Sequence, residues 1–352
     1  MKNNTEKVSN NSFFEIINNL LKKKESFICS RLPGSKQVNL NSGIITELKR
    51  SEIQEKGIFV MPFSEKNLGF MLSPSINFET IIEKKLNSKN NSFLNVKDFV
   101  KNEEKESYTR SVKNLIKEID KGKLSKIVFS KKITLKRPNS NYVSIFKNIL
   151  DSYNEAFCYF FYTPKEGVWM GASPELLFKK EKNSILTMAL AGTKFNISSE
   201  WGDKEYSEQK IVQDEIIENL SPLCSSVSFG ETETVSAGKI QHLKTSFEGT
   251  TQASTIKLVN ALFPSSAIAG YPRKTALELI SKYELHERSF YSGFLGTCKG
   301  SNSYFFVNLR CLNIKDDKIS LYVGSGITKD SDPDNEWIEI LKKSETMLNV
   351  IF

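Results

Sequence analysis

Apolar residues along the chain recur at two spacings. Near the N-terminus they predict a helix over Phe13–Leu21 and strands around Phe27–Arg31, Gly43–Glu47 and Ile58–Pro62. Tyr108, Val112, Leu115, Ile116 and Ile119 share one helical face, and Gly122 marks where that helix stops. A strand over Ser125–Leu135 and a helix carrying Val143, Ile145, Phe146 and Leu150 follow. The runs AFCYFFY, GVWMGAS, LLFKK and SILTMAL predict four strands, separated by the turn signals TPKEG and EKNS. A long helix is expected from about Asp203 to Leu220, with shorter ones near Ile256–Leu262 and Pro272–Tyr283. The strings SFYSGFLGTC, SYFFVNLRCLNI and KISLYVGSGI predict a meander of three strands. The segment SDPDNEWIEILKK then predicts a closing helix, with Asp332 as cap and Pro333 in its first turn. Antiparallel runs interrupted by helices indicate an α+β fold, and strands apolar on both faces indicate two stacked sheets covered by helices.

Between Asn87 and Glu106 the pattern gives way to a polar, Asn- and Lys-rich stretch that predicts a surface connection. No apolar run approaches the ~20 residues of a membrane span, and the polar N-terminus lacks a secretory core. Five cysteines are dispersed without a CxxC pair, which fits reduced thiols and a cytoplasmic setting. With only His242 and His286, a zinc site is not expected. The net charge of +8 is spread along the chain, so neither nucleic acid nor membrane is an expected partner.

Several residues could carry chemistry, and each also has a bland reading. Glu336, Glu339 and Lys343 lie on one stripe of the closing helix, beside Trp337, Ile340 and Leu341. The stripe is a solvated face with Glu–Lys pairing, or a metal site with a cation beside it. Lys126, among Ile127, Val128 and Phe129, is an edge-strand charge or a buried functional amine. Glu175 follows a GASP turn, and Glu208 lies beside Ile211 and Val212 in the long helix; both are ordinary solvated or paired acids, or functional ones. The turn ALAGTK is a tight bend or a close approach of backbone to a ligand. Arg310, read as central in a strand, needs an anionic partner if buried.

The order and spacing of SKIVFSKK, GASPELLF, ALAGTK, EQKIVQDEI, IQHLKTSFEGT, SAIAGYPRKTALELI, ERSFYSGFLG, FFVNLRCLNI, LYVGSGI and SDPDNEWIEILKK resemble the chorismate-binding enzymes. These include isochorismate and salicylate synthases and the synthase subunits of anthranilate and aminodeoxychorismate formation. The resemblance implies a four-layer α/β/β/α fold of two stacked, largely antiparallel sheets. Residues 108–352 would form the catalytic region and 1–107 a variable N-terminal part of the same fold. It implies Mg²⁺ held by Glu208 and Glu339, with Glu205 and Glu336 holding metal waters, and chorismate as the partner of a monomeric protein. Lys343 would contact the substrate's ring carboxylate. Arg310, Tyr291 and the N–H groups of Gly324 and Gly326 would hold the enolpyruvyl carboxylate. Gly192, Thr193 and His242 would lie against the ring.

Within that family, aminodeoxychorismate synthases carry a lysine where this chain has Ala191. Anthranilate and aminodeoxychorismate synthases tend to have Ser or Thr in place of Ala267. The resemblance therefore implies the water-using branch and isochorismate synthesis, with Lys126 as general base and Glu175 as general acid. A salicylate synthase and a non-catalytic binding homologue are the alternatives, and product use in menaquinone or siderophore formation fits equally well. Gln209, Lys194 and Ser325 depart from the usual His, Arg and Ala.

Overall fold

The computed structural model describes residues 5–83, 99–136, 141–195, 200–237 and 240–351. Most of the polar connection lies outside them, and its last residues already belong to a helix. The chain opens with Thr5–Lys7 (β1) and Asn10–Lys23 (α1). Ser9 caps α1 by accepting the Ser12 N–H, and its C-cap Lys24 takes a left-handed conformation. Four strands follow: Phe27–Arg31 (β2), Gln37–Leu48 (β3), Lys56–Met61 (β4) and Gly69–Ile81 (β5). Next come Asn102–Asp120 (α2), Lys126–Lys136 (β6) and Tyr142–Ser152 (α3). The four predicted strands are Phe157–Thr163 (β7), Gly167–Ser173 (β8), Leu176–Glu181 (β9) and Ser184–Lys194 (β10). The long helix is Asp203–Leu220 (α4). Cys224–Phe229 (β11), Glu233–Ala237 (β12), Ile240–Thr251 (β13), Thr255–Leu262 (α5), Gly270–Tyr271 (β14) and Arg273–Tyr283 (α6) lead to the final part. It consists of Phe294–Lys299 (β15), Asn302–Val307 (β16), Cys311–Lys315 (β17), Lys318–Ile327 (β18) and Pro333–Ile351 (α7).

The strands form one continuous ribbon. One half runs β14–β6–β18–β17–β8–β7–β2–β3–β5, and the other continues β4–β15–β16–β9–β10–β13, with β11 and β12 both on β13. All these pairings are antiparallel except β1 on β5. The ribbon doubles over so that its halves face each other across an aromatic interior. Phe157 on β7 stacks on Phe306 of β16 at 4.3 Å with the rings 1° from parallel. Tyr159, Phe161, Trp169 and Leu295 join the same buried cluster. Outside, α2, α3, α6 and α7 cover the first half and α4 the second. This is the expected α+β fold of two sheets flanked by helices. The N-terminal strands belong to the same ribbon, since β2 pairs with β7 and β4 with β15.

Two expectations are corrected. SYFFVNLRCLNI is two strands, not one, and Arg310 stands in the break with φ 47°. β16 pairs with β9 and β15 in one half, while β17 pairs with β8 and β18 in the other. Residues 308–310 therefore carry the chain across the sandwich. Asn308 anchors the crossing by donating to the Phe290 carbonyl at 2.8 Å and accepting from the Tyr159 hydroxyl at 2.6 Å. Likewise SFYSGFLGTC becomes a strand only at Phe294; before it, Ser289 and Ser292 hold positive φ and turn Tyr291 inward.

Phe306→Ala should cost about 3–5 kcal/mol, the usual loss for a buried aromatic ring. Denaturant titration measures it, and an unchanged midpoint would contradict the stacked interior.

Candidate active site

One cavity opens where β6 and β18 meet α4 and α7. Glu175, Gly192, Thr193, Glu208, His242 and Ala267 line it, and Tyr291, Arg310, Gly324, Gly326 and Lys343 complete its wall. Ala191 and Ile268 add apolar surface. A second, wider cavity meets the first at Pro174, Leu190, His242 and Arg310. Lys126, Glu205, Glu336 and Glu339 do not reach the cavity surface, but Lys126 and Glu339 pair with the wall residues Glu208 and Lys343, and Glu205 lies against Gly192.

Two glycines of β18 make room for side chains from other elements. A Cβ at Gly326 would lie 2.2 Å from Glu208 Oε1, and one at Gly324 would lie 2.8 Å from the Tyr291 hydroxyl. Gly324 and Gly326 pair with Ser130 and Val128 of β6, four and two residues beyond Lys126. The cavity floor, the glutamate and the lysine are thus set by one strand pair. Ser325, between the glycines, turns to the other face and bonds the Tyr108 hydroxyl at 2.8 Å.

Lysines and glutamates meet here in pairs. Lys126 Nζ lies 2.9 Å from Glu208 Oε1 and is 0% exposed. Lys343 Nζ lies 2.7 Å from Glu339 Oε1 and donates to the Gly324 carbonyl at 3.0 Å. Lys204 Nζ lies 2.5 Å from Glu336 Oε1, and Glu336 is 1% exposed. Burial alone would push Glu208 up, but Lys126 and Lys204, with Lys343 behind them, outweigh it and hold the carboxylate below its usual range. Glu336 is raised, by burial and then by Glu339. Glu205 does something else: its Oε2 accepts the Gly202 N–H at 3.0 Å, closing the first turn of α4.

Glu175 is buried just after β8, and burial raises its carboxyl to about 8, against a lowering pull from Lys126. It is therefore a protonated acid at neutral pH. His242 on β13 is also fixed. Its Nε2 accepts from the Arg310 guanidinium at 2.7 Å, so its Nδ1–H donates to the Gly192 carbonyl at 2.8 Å. Burial, Arg310 and Lys343 hold its pKa well below the usual range. A neutral imidazole locked at both nitrogens aims Arg310 and carries no charge. Burial also lowers Arg310, to about 10.

Among the described residues, no three His, Cys, Asp or Glu side chains converge as a ready metal cage. The donor set nevertheless fits a hard cation that keeps several waters. Glu208 comes from α4, and Glu336 and Glu339 come from α7. All three offer only carboxylate oxygens, and Glu336 Oε2 is buried without a hydrogen-bond partner.

The sequence profile described as chorismate binding enzyme matches residues 72–352. The chain belongs to the chorismate-binding enzymes. Isochorismate synthase MenF of Haemophilus influenzae is 30% identical over 254 residues, covering 68% of this chain and 59% of that one. Isochorismate synthase EntC of Escherichia coli is 30% identical over 199 residues, covering 52% and 51%. The chain thus spans about half the length of such relatives. The fold is shared with the solved MenF of Escherichia coli, at a TM-score of 0.78 and 19% identity over 93% of this chain and 89% of that one. Anthranilate synthase component I of Streptococcus pneumoniae follows at 0.65 and 17%, over 87% and 80%.

The departures from the family pattern have structural partners. Gln209 is buried and donates to the Ala189 carbonyl and to Thr245, tying α4 to β10 and β13. The Lys194 ammonium lies over the Trp201 ring at 4.6 Å. Sequence reasoning missed Lys204 and the buried Arg288–Glu284 pair. Arg288 donates to the carbonyls of Ile268 and Val128, and Glu284 accepts the Ser130 N–H. Lys204 could have been found, because it lies one helical turn before Glu208 on the same stripe.

Gly326→Ala should displace the Glu208 carboxylate and abolish activity, yet leave the fold intact, since the clash is with the far end of a side chain. Melting temperature and turnover, measured together, check this; an active Gly326→Ala protein would contradict the placement of Glu208.

Proposed function

We propose that the protein is an isochorismate synthase. The observation that carries this reading is a pair of opposite tools at one site: a carboxyl on the cavity wall that keeps its proton at neutral pH, Glu175, and a buried amine just behind the wall, Lys126, 2.9 Å from the wall residue Glu208. The names of its relatives from Haemophilus influenzae and Escherichia coli support the same reading. Ala191 and Ala267 present neither an amine nor a hydroxyl to the cavity at their two positions.

In this reading Lys126 takes a proton from water, whose oxygen bonds to ring carbon 2 of chorismate. The ring double bonds shift, the bond from carbon 4 to its hydroxyl breaks, and Glu175 gives the departing oxygen a proton. One water enters and one leaves, so the product is an isomer. Arg310, aimed by His242, would take the enolpyruvyl carboxylate with Tyr291. Lys343 would take the ring carboxylate.

Glu208 and Glu339 would hold Mg²⁺ directly, with Glu336 bonding its waters. The ion's contribution would be to orient the ring carboxylate and neutralise its charge. Activity should therefore vanish with EDTA and return with Mg²⁺; full turnover in metal-free buffer would sink the glutamate site.

Pure protein with chorismate and Mg²⁺ should accumulate isochorismate, re-form chorismate from added isochorismate, and release little pyruvate. Chromatographic separation of the products decides it. Stoichiometric pyruvate and salicylate would reject this reading in favour of a salicylate synthase, and aminated products with ammonium would reject the water-using assignment. Lys126→Ala and Glu175→Gln should each lose about 10²–10⁴ in rate in both directions.

Turnover should fall as pH rises through about 8, where Glu175 loses its proton. In Glu175→Gln that alkaline limb should disappear. Stability should follow the same sign. Between the ordinary carboxyl range and about 8, the folded chain binds a proton that the unfolded chain has lost, so stability declines with rising pH across that window. Glu175→Gln should flatten the decline, and an identical pH dependence in the variant would contradict the raised carboxyl.

A further inference from the structure

We propose that Lys204 is a tethered counter-cation for the carboxylate cluster, and that it must leave Glu336 when the divalent cation enters. The inference rests on the metal reading above. It starts from the charges: Glu208, Glu336 and Glu339 are matched one to one by Lys126, Lys204 and Lys343. A divalent cation added to this set leaves an excess of positive charge in a poorly solvated place.

One lysine has to yield, and geometry selects which. Lys126 is 0% exposed on a central strand, with Tyr271 on one side and β18 pairing along the other, so it has no route out. Lys343 stands on the cavity wall and is held by the Gly324 carbonyl. Lys204 is 24% exposed and absent from the cavity wall. It is also the second residue of α4, where the helix N-terminus disfavours a cation. Among the described residues, Glu336 alone holds it there by a direct ion pair. Swinging outward would free Glu336 Oε1, beside the Oε2 that already lacks a partner.

Lys204 thus holds α4 to α7 while no metal is bound and sets a threshold for metal entry. The partner cation is small, divalent and oxygen-seeking, such as Mg²⁺.

Calorimetric titration with Mg²⁺ alone, with melting curves, tests this on the full-length wild type and Lys204→Met. Lys204→Met should melt lower without metal, bind Mg²⁺ about tenfold more tightly, and gain more in melting temperature from it than the wild type. Equal or weaker Mg²⁺ binding by the variant would overturn the proposal. If the variant does not fold, the wild type still decides. Acetylation of its amines, read by mass spectrometry, should show Lys204 more reactive with Mg²⁺ than without, and unchanged reactivity would overturn the displacement. Binding to the wild type with no effect at Lys204 refutes this inference alone. No Mg²⁺ binding by either protein refutes it together with the metal reading.

Discussion

The contact between Lys126 and Glu208 organises the site. The Lys126 side chain has no solvent exposure, at the start of a strand that β18 pairs along one edge and β14 meets at two residues on the other, so it needs a polar partner beside it. That partner comes from the opposite half of the sandwich, on α4, and reaches the lysine over the bare backbone of Gly326. The fold must therefore bring α4 down onto the end of β18, and the chain crossing at 308–310 places Arg310 in the same gap. Removing either charge would leave the other buried alone, which costs several kcal/mol.

Around this pair the wall is held by contacts that touch no substrate. Arg288 and Glu284 are both buried and join Val128 and Ser130 of β6 to Ile268. Buried Glu215 accepts the Ser266 N–H at 2.6 Å and meets Arg273, so α4 also fixes the loop that presents Ala267. His242 does the same for Arg310. Strand, loop and guanidinium are each locked by a buried polar partner, which keeps the cavity shaped before any ligand arrives.

Much of this was legible in the sequence. Helices with a single apolar face, such as α2 and α3, and strands that are apolar throughout, such as β7 and β8, carry their own signal. The candidate residues were legible because ten ordered motifs carried them; taken alone, Lys126 or Glu175 reads as an ordinary charge. What escaped depends on long-range pairing. Arg310 looked like a strand residue because its neighbours are apolar on both sides, and only the change of partner strands breaks the run. β13 reads as polar and apolar by turns, IQHLKTSFEGTT, and its alternation is that of a strand with both β10 and β12 beside it. Lys204 was invisible as a partner of Glu336, 132 positions away.

The account depends on a division of labour: one buried group takes a proton from water while another gives one to the departing hydroxyl. The most direct measurement is mass spectrometry of isochorismate formed from chorismate in water labelled with heavy oxygen. The account predicts one heavy oxygen in the product, as the hydroxyl on ring carbon 2, and none when Lys126 is replaced and turnover stops. Isochorismate carrying only its original oxygen would mean that the hydroxyl migrates without exchange, and would contradict the roles of Lys126 and Glu175.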